Sequence, residues 1–361
     1  MNKLLSIIIP TYNMEKYLHK CLDSLIVSDE KIPLLEVLVV NDGSKDSSSR
    51  IAHEYEVKYP QSFRVIDKEN GNYGSCINRG LKEATGKFIK VLDADDYFEN
   101  EVLCNYMEFL EQCDYDLVVS DFDIVNESGH CLSEFTFNLP TEKQFFLKNI
   151  PNAMNILLWH QAITYKKDVF NNLDYKQTER ISYTDDEWIF KPMFAVTSIV
   201  YFPQLLYHYL RGREGQTFDS KVIQKSLSQR VEVVKEMVGY YEKNIKRCLS
   251  DNVAFVTEKL ARRIQIVYDY HIIVFPTNEN NHQLIAFDKY LEQMSPSIHN
   301  HLNDLANNYG WHYIRQWRKM NHSLYAPEIS IIRIKRKLWK LLKGDKWNVG
   351  TVPSRLKRPN C

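Results

Sequence analysis

The sequence lacks the features that would fix its compartment or its cofactor at once. No stretch approaches the roughly 20 consecutive apolar residues that a membrane span needs. The apolar run at residues 4–9 ends at Pro10, which is too early for a signal peptide. The seven cysteines are scattered, odd in number and without a CxxC pair, so neither a disulfide framework nor a zinc knuckle is indicated. We therefore expect a cytoplasmic protein.

A net charge is also absent, because 46 Lys and Arg balance 46 Asp and Glu among the 361 residues. The overall balance hides an uneven distribution of charge along the chain. Arg333 to Arg358 holds ten Lys and Arg against one Asp, so the remainder carries about nine excess negative charges. The composition, 44% hydrophobic and 25% charged, is typical of a globular protein, and the length indicates about two domains.

The first hundred residues alternate between strand-like and helix-like segments. Apolar, β-branched runs predict buried strands, and apolar residues recurring every three to four positions predict helices between them. The predicted strands are residues 5–9, 35–40, 63–67 and 88–92, and the predicted helices are residues 14–27, 47–59 and 75–85. This alternation predicts an α/β fold with a mainly parallel sheet flanked by helices, in which ligands bind beyond the carboxyl ends of the strands.

An acidic run follows the fourth predicted strand, where packing does not require one. Asp93, Asp95 and Asp96 lie within four positions. Carboxylates at alternate positions can share a hard divalent cation, which prefers oxygen ligands. A solvated turn that caps the next helix, at residues 100–101, would use the same residues. Taken alone, the run leaves both interpretations open.

The pattern becomes helical from residue 220, which predicts a C-terminal helical extension. The expected domains are residues 1–219, 220–329 and 330–361.

The last segment has an amphipathic pattern. Its apolar residues Ile331, Ile334, Leu338 and Leu341 share one helical face, and Lys and Arg occupy the other. Such helices bind membrane surfaces or partners; a solvated helix end or a nucleic-acid patch is the alternative. We favour contact with an anionic membrane through residues 330–358 and expect no nucleic-acid partner.

Four short blocks in a fixed order resemble the family 2 glycosyltransferases, which are inverting enzymes with the GT-A fold, a Rossmann-like architecture. The blocks lie within residues 4–218 and are Ser6 to Asn13, Val39 to Asp46, Asn70-Gly71 with Asn78-x-Gly80-Leu81, and Leu92 to Asp96. The resemblance implies transfer of a sugar from a nucleotide-diphosphate sugar, with UDP the expected nucleotide, to a glycan or lipid-linked acceptor. It also implies Mn²⁺ or Mg²⁺ as cofactor and a role in bacterial surface polysaccharide synthesis at the inner face of the plasma membrane.

The donor residues follow from this resemblance. The ring of Tyr12 would stack on the base, although a rim tyrosine is the alternative. Asp42 would accept a hydrogen bond from a pyrimidine N–H, and it could equally serve an Asx turn or a helix N-cap. The residues assigned to the donor are Pro10, Thr11, Tyr12, Asn13, Asp42, Asn70, Gly71, Asn78, Asp93, Arg211 and Arg213.

The expected phosphate loop departs from the family pattern at two positions. Asn70-Gly71 precedes a helix whose N-terminus suits phosphate groups. Asn72 stands where the family usually has a second glycine, and asparagine tolerates left-handed geometry well. Ile77 stands where the family usually has arginine. Arg211 or Arg213, in a segment that resembles the family's flexible loop, could replace that cation as a fork donor to the diphosphate.

The acids receive separate roles by resemblance. Asp93 would contact the ribose and, with Asp95, hold the metal that bridges the diphosphate, while Asp96 would support them. A cation there would stabilise the charge of the departing nucleoside diphosphate.

A second acidic cluster is expected to supply the base. Asp186 would take the proton from the acceptor hydroxyl, and Asp185, in place of the family's usual Glu, would be its neighbour or an acceptor ligand. Alternatively, the three acids of Asp185-Asp186-Glu187 only favour the positive end of a helix at residues 188–194. Trp159 would lie at the acceptor subsite or in the core, and His208 is favoured as a packed histidine over a metal ligand.

Two other classes of protein were weighed. A nucleotidyltransferase would need a glycine-rich, lysine-bearing phosphate loop near its N-terminus, and residues 10–13 do not form one. A non-catalytic sugar-nucleotide-binding or partner-binding module would be marked by loss of the acids, which are all present.

Overall fold

The computed structural model describes residues 2–141, 144–150, 159–171, 173–213, 220–307 and 310–343. These residues form two units. The first contains the described residues of Met1–Gln216 together with Leu249–Asn252, and the second contains those of Thr217–Cys248 and Val253–Val352.

The described part of the first unit is built on one mixed sheet. Its strands are β1 (Leu5–Thr11), β2 (Leu35–Asn41), β3 (Phe63–Asp67), β4 (Phe88–Val91), β5 (Tyr97–Phe98), β6 (Leu117–Val125), β7 (Cys131–Phe135), β8 (Ile163–Lys166) and β9 (Ile199–Leu210). They are ordered β3-β2-β1-β4-β8-β6-β9-β5, and β7 pairs with β6. The first four strands are parallel, as are β6 and β9, whereas β8, β5 and β7 pair antiparallel.

Burial explains the parallel half of the sheet. Every residue of β2 and β4 is buried, as expected where helices cover both faces of a parallel sheet. Pro10 lies in β1 but beyond the residues of that strand that pair with β4, so its missing N–H costs no bond to β4. The prediction of an α/β fold with a mainly parallel sheet is confirmed, and the four predicted strands are found within two residues at each end.

Helices connect these strands. They are α1 (Leu18–Asp23), α2 (Ser48–Lys58), α3 (Asn72–Glu83), α4 (Asn100–Glu111) and α5 (Asp185–Phe190). Short 3₁₀ turns lie at Ile32–Leu34, Leu147–Asn149, His160–Ala162, Lys167–Phe170 and Lys191–Phe194. The helix predicted at residues 14–27 is much shorter than expected, while α3 begins three residues before its predicted start.

The described part of the second unit is helical, as predicted. Its helices are α6 (Ser220–Lys225), α7 (Leu227–Asn244), α8 (Ser250–Tyr268), α9 (Asn278–Met294), α10 (Pro296–Asp304), α11 (Tyr313–Lys319) and α12 (Pro327–Lys343), with a 3₁₀ turn at Ile245–Arg247 and a π-helical segment at Asp269–Val274. Its core includes the fully buried Trp317, Tyr268 and Tyr313. Among the described helices, none has the length and apolar character needed to cross a membrane.

Candidate functional site

The site lies where the first four strands end. Thr11 is in register with Asn41, and Asn41 with Asp67, so β1, β2 and β3 end side by side. Parallel strands present their carboxyl ends at one edge of the sheet, which is where ligands bind in such folds. The segments after these strands and after β4 therefore share one rim.

The segment after β1 is fastened to the segment after β2. Asn13 adopts a left-handed backbone with φ 53°. Its N–H donates to Ser44 Oγ at 3.0 Å, and its side-chain oxygen accepts from the Lys45 N–H at 2.7 Å. Next to it, Tyr12 is 45% exposed, whereas Thr11 is buried. The ring of Tyr12 is thus accessible at the rim, as base stacking would require.

Asp42, the first residue after β2, is buried and joined to the segment after β3. Its Oδ1 accepts from Lys68 Nζ at 2.5 Å and from the Gly71 N–H at 2.9 Å, and its backbone oxygen accepts from the side chain of Asn70 at 3.0 Å. It does not cap α2, whose N-cap is Ser47. These bonds orient the Asp42 carboxylate at the rim.

The start of α3 has the backbone that its sequence permits. Asn72, its first residue, is left-handed with φ 64°. A Cβ on Gly71 would lie 2.6 Å from Ser75 Oγ, so a larger residue there would displace the Ser75 side chain. Ile77 is fully buried, and Arg79 points elsewhere, to Glu83 at 3.0 Å. Lys68 contacts this turn, since its Nζ also donates to Ser75 Oγ at 2.8 Å.

Asp93 is held between two side chains. His160 Nε2 lies 3.0 Å from its Oδ2, and Tyr73 donates to its Oδ1 at 3.1 Å. Burial alone would raise the pKa of Asp93, but the charge of His160 and these two hydrogen bonds outweigh it and lower the pKa. Burial likewise opposes the charge of His160, whose pKa is nevertheless raised because Asp93 is its partner. The two side chains form an ion pair.

Asp95 pairs with an arginine from the segment after β9. Arg213 Nε donates to Asp95 Oδ2 at 2.6 Å, and its guanidinium also lies over the ring of Tyr17, 5.6 Å from the centroid. Gly212, with φ 103°, provides the backbone turn that brings Arg213 there. Burial raises the pKa of Asp95, and the charge of Arg213 only partly offsets it.

Asp96 is buried and structural. It accepts from the Tyr207 hydroxyl at 2.6 Å and from the Leu210 N–H at 2.7 Å, both in β9. Burial, followed by the charges of Asp95 and Asp93, raises its pKa well above the usual range. None of the three acids caps α4, whose N-cap is Glu99, so the capping interpretation is wrong.

The second acidic cluster occupies the first turn of α5. Asp185 and Asp186 are half-buried there, whereas Glu187 is buried and accepts from the N–H and hydroxyl of Thr178 while pairing with Lys191 at 2.7 Å. Glu187 is therefore an anchor. The pKa of Tyr73 is raised first by burial, then by the charge of Asp93, and then by the charge of Asp185. Because Asp185 acts on the tyrosine that donates to Asp93, α5 begins close to Asp93.

The loop before α5 is docked on α3. The Asn78 side chain donates to Gln177 O and Glu179 Oε1, each at 2.8 Å, and accepts from the Gln177 N–H at 2.8 Å. A Cβ on Gly74 would lie 1.9 Å from Thr178 O, so only glycine allows this approach. The Arg180 N–H donates to Gly71 O at 2.7 Å. Helix α3 and the loop that leads into the acidic first turn of α5 are thus packed together.

Left-handed residues mark the same loop. Arg180 has φ 67° and Tyr183 φ 68°. Non-glycine residues rarely adopt this backbone, and such strain is concentrated at functional sites.

Trp159 and His208 have packing partners. Trp159 is half-buried and contacts Phe122, Phe135 and Tyr209, with ring centroids 5.5 to 6.4 Å away. His208 Nδ1 lies 2.8 Å from Asp123 Oδ1, and its ring stacks on Tyr97. His208 is therefore packed, as favoured from the sequence.

Arg211 begins the segment after β9. Its N–H donates to Val125 O at 2.8 Å. The remainder of the expected flexible loop, residues 214–217, lies outside the described residues.

Comparison with known proteins supports the family resemblance of the first unit. The model of glycosyl transferase family 2 matches residues 6–168, which contain the ends of the first four strands. Residues 6–168 thus form a domain that matches glycosyltransferase family 2. A glycosyltransferase of Mycoplasma genitalium, MG025, is 39% identical over 121 residues, which are 33% of this chain and 39% of that protein. The poly(ribitol-phosphate) β-N-acetylglucosaminyltransferase TarS of Staphylococcus aureus is 27% identical over 218 residues, 60% of this chain and 37% of TarS. The chain thus spans well under two thirds of these relatives.

A solved structure shares the family's fold. Residues 1–349 of S. aureus TarS, in complex with UDP-GlcNAc, superpose with a TM-score of 0.68 at 20% identity, covering 96% of this chain and 94% of that one. The likeness confirms the GT-A fold and the C-terminal helical region.

The acids after β4 fit the cation expected in this family. Mg²⁺ is usually held by one or two carboxylates together with substrate phosphates. Within the described ranges no group of three or more His, Cys, Asp and Glu side chains converges as a complete ligand set. Asp95 pairs with Arg213 from the segment after β9, and its carboxylate could instead join a cation that completes its ligands with phosphate oxygens.

Several residues of the site escaped the sequence analysis. Lys68 orients Asp42, while His160 and Tyr73 hold Asp93. Lys68 directly follows the third predicted strand, residues 63–67, and His160 adjoins Trp159. Their roles depend on contacts across 20 to 67 positions of sequence, which no local pattern encodes.

Proposed function

We propose that the chain is an inverting, metal-dependent glycosyltransferase that moves a sugar from a UDP-sugar to a glycan or lipid-linked glycan. One observation carries the proposal: three acidic groups lie near the same rim of the sheet. They are Asp42, the neighbouring acids Asp93 and Asp95, and the acidic first turn of α5. Nucleotide, diphosphate and acceptor each need one of these groups.

The nucleotide would bind along the segments after β1 to β3. The exposed ring of Tyr12 would stack on the base, with Pro10, Thr11 and Asn13 shaping the same turn. Asp42, oriented by Lys68 and Gly71, would accept from the N3–H of uracil. Cytosine presents an acceptor at that ring position, so uridine is favoured.

The diphosphate would lie between α3 and the acids after β4. Asn70 and Gly71 place backbone N–H groups at the start of α3, where anions bind readily. Asp95, with Asp93, would hold Mn²⁺ or Mg²⁺, which acts as a Lewis acid towards the departing diphosphate. Arg213, which pairs with Asp95, would instead contact the diphosphate, with Arg211 near it.

The acceptor would approach from α5. Asp186 would remove the proton of the attacking hydroxyl as it displaces the diphosphate from the opposite face of the sugar. Asp185 would hydrogen-bond the acceptor, and the half-exposed Trp159 would lie against a sugar ring. Asn78 would act through the loop it fastens to α3.

The setting we propose is surface polysaccharide synthesis at the inner face of a bacterial plasma membrane. TarS, by its name, glycosylates a poly(ribitol phosphate), and an acceptor of that general kind would suit the present chain.

A donor screen tests the proposal. Released nucleotide is measured for a panel of UDP-, GDP- and CDP-sugars with Mn²⁺, Mg²⁺ or EDTA. We expect turnover with UDP-sugars and its loss with EDTA. Equal turnover in EDTA would contradict the proposed metal dependence. Tight binding of UDP without turnover of any donor, with acceptor glycans supplied, would favour a binding module.

A further inference from the structure

Helix α12 (Pro327–Lys343) is packed against its own unit through one face only. Ile329 and Ile332 are 0% and 2% exposed, and α12 packs on α11 and the π-helical segment. Arg333, on the same side, donates to Leu324 O at 3.1 Å. The inward face is therefore fixed by buried isoleucines and an anchored arginine.

The outward face of α12 is apolar. Ile331, Ile334, Leu338 and Leu341 are 43%, 57%, 54% and 82% exposed. Their spacings of three and four residues align them in one stripe over three turns. Single exposed apolar side chains are ordinary, but a continuous stripe of four on one helix marks an interaction surface.

Lysines border this stripe. On a helix of 3.6 residues per turn, Lys335 and Lys337 project to opposite sides of it, and both are exposed. Lys335 Nζ also lies 4.7 Å from the centroid of Trp311. The sequence analysis placed the basic residues on the face opposite to the stripe. The structure instead buries part of that face and leaves lysines at the border.

The geometry points to an anionic lipid bilayer as the occupant of this stripe: we propose that Ile331, Ile334, Leu338 and Leu341 insert at the level of the headgroups while Lys335 and Lys337 contact lipid phosphates. A bilayer offers apolar chains below and negative charge on both sides, matching the stripe and its borders together. A second copy of this chain would bring lysines against lysines. The inference is independent of the transfer reaction.

Vesicle binding of the full chain tests this surface. Wild-type protein is sedimented with vesicles of phosphatidylcholine alone or with about one third phosphatidylglycerol. The variant Ile334→Asn/Leu338→Asn should lose at least tenfold in partitioning, because two inserted side chains become polar. Leu132→Asn is the matched control, since Leu132 is 55% exposed but lies in β7. It should bind as wild type.

A second variant separates charge from burial. Lys335→Gln/Lys337→Gln should lower partitioning by about fivefold per lysine on phosphatidylglycerol vesicles at low salt, and hardly at all on phosphatidylcholine. All variants should keep the wild-type unfolding midpoint, because the altered side chains are exposed. Failure of wild type to bind the anionic vesicles, or unchanged binding by Ile334→Asn/Leu338→Asn, would overturn the proposal. So would a change of that variant from dimer to monomer in sedimentation velocity, which assigns the stripe to a second copy.

Discussion

The buried acids of the strand-end site and those of the helical unit have different surroundings. In the helical unit, Asp288 is enclosed by Arg318 at 2.6 Å, the Tyr268 hydroxyl and His299 at 3.4 Å. In the site, three carboxylates within four positions face one histidine, one arginine and several hydroxyls.

Asp288 differs from the site acids Asp95 and Asp96 in whether its partners offset the cost of burying its charge. Burial opposes ionisation of Asp288, but its hydrogen bonds and the charge of Arg318 lower its pKa to about 2. At Asp95 and Asp96 burial prevails and the pKa rises. Substitutions in the site should therefore affect sugar transfer, whereas substitution of Asp288 should affect the free energy of unfolding.

The largest effect is expected at the proposed base. Asp186→Asn should lower sugar transfer by about 10²–10⁴-fold, the usual contribution of a general base. The unfolding midpoint and UDP affinity should stay near wild type, since Asp186 is half-buried on the first turn of α5. Transfer rate, calorimetric binding of UDP and thermal unfolding are measured on the same preparation. Asp185→Asn is the neighbouring control, and an equal loss there would leave the base unassigned.

The reverse is expected at Asp288. Asp288→Asn leaves Arg318, whose side chain is 12% exposed, without its charged partner. Breaking a buried pair from one side typically costs about 3–5 kcal/mol. Denaturant titration should show this loss, and transfer by the folded fraction should be retained. A stability change below about 1 kcal/mol would contradict the view that this acid serves the fold.

The pH dependence of stability sharpens the comparison within the helical unit. Burial raises the pKa of Asp269 to about 7, despite the Tyr313 hydroxyl that donates to it. A raised pKa means stability that is full below the unfolded value and lost as pH rises through 7. Asp269→Asn should therefore be about 4 kcal/mol more stable than wild type at pH 8, from about three pKa units at roughly 1.4 kcal/mol each, and nearly equal at pH 4.

Asp288 should give the opposite window. Its lowered pKa implies a contribution that is present above about pH 4 and lost as pH falls towards 2. Unfolding of wild type and of each variant, measured from pH 2 to 8, separates the two contributions. A pH-independent difference between wild type and Asp269→Asn would contradict the assignment.

The smallest effect is expected at the Asp95–Arg213 pair. The pair is mostly buried, with side chains 11% and 18% exposed. Arg213→Ala should raise the affinity for Mn²⁺ alone by about fivefold, because the guanidinium no longer competes for Asp95. Titration of Mn²⁺ followed by paramagnetic resonance measures it. Arg211→Ala is the control, and weaker Mn²⁺ binding by Arg213→Ala would show that the arginine supports the site instead.

Periodicity and turn residues were sufficient to predict the strands that position the site. The runs at β1, β2 and β4 are short, rich in β-branched residues and bounded by turn residues, which favours strands of a covered sheet over buried helices. The end of the predicted helix at residues 14–27 was missed because apolar residues such as Leu25 and Val27 continue to be buried after the helix stops. Burial and helicity are separate properties, and periodicity reports only the first.

The polar contacts of the site were less accessible to prediction. Asp42 and Asp93 could be assigned from their blocks, but Lys68 and His160 act through hydrogen bonds that exist only after the chain folds. Asn78 was assigned to the donor by its block, and the sequence did not predict that its amide also joins α3 to the loop before α5. A short motif identifies residues, whereas their partners depend on tertiary packing.

The close approach of Gly74 to Thr178 limits how segments of related proteins can be recombined. With no room for even a methyl group between them, residues 71–83 and 177–187 must be exchanged together when segments of two family members are recombined. A chimaera with a breakpoint between these segments would combine the proposed donor turn and the proposed acceptor acid from different proteins. Swaps of acceptor preference should therefore succeed only when both segments are transplanted as a pair.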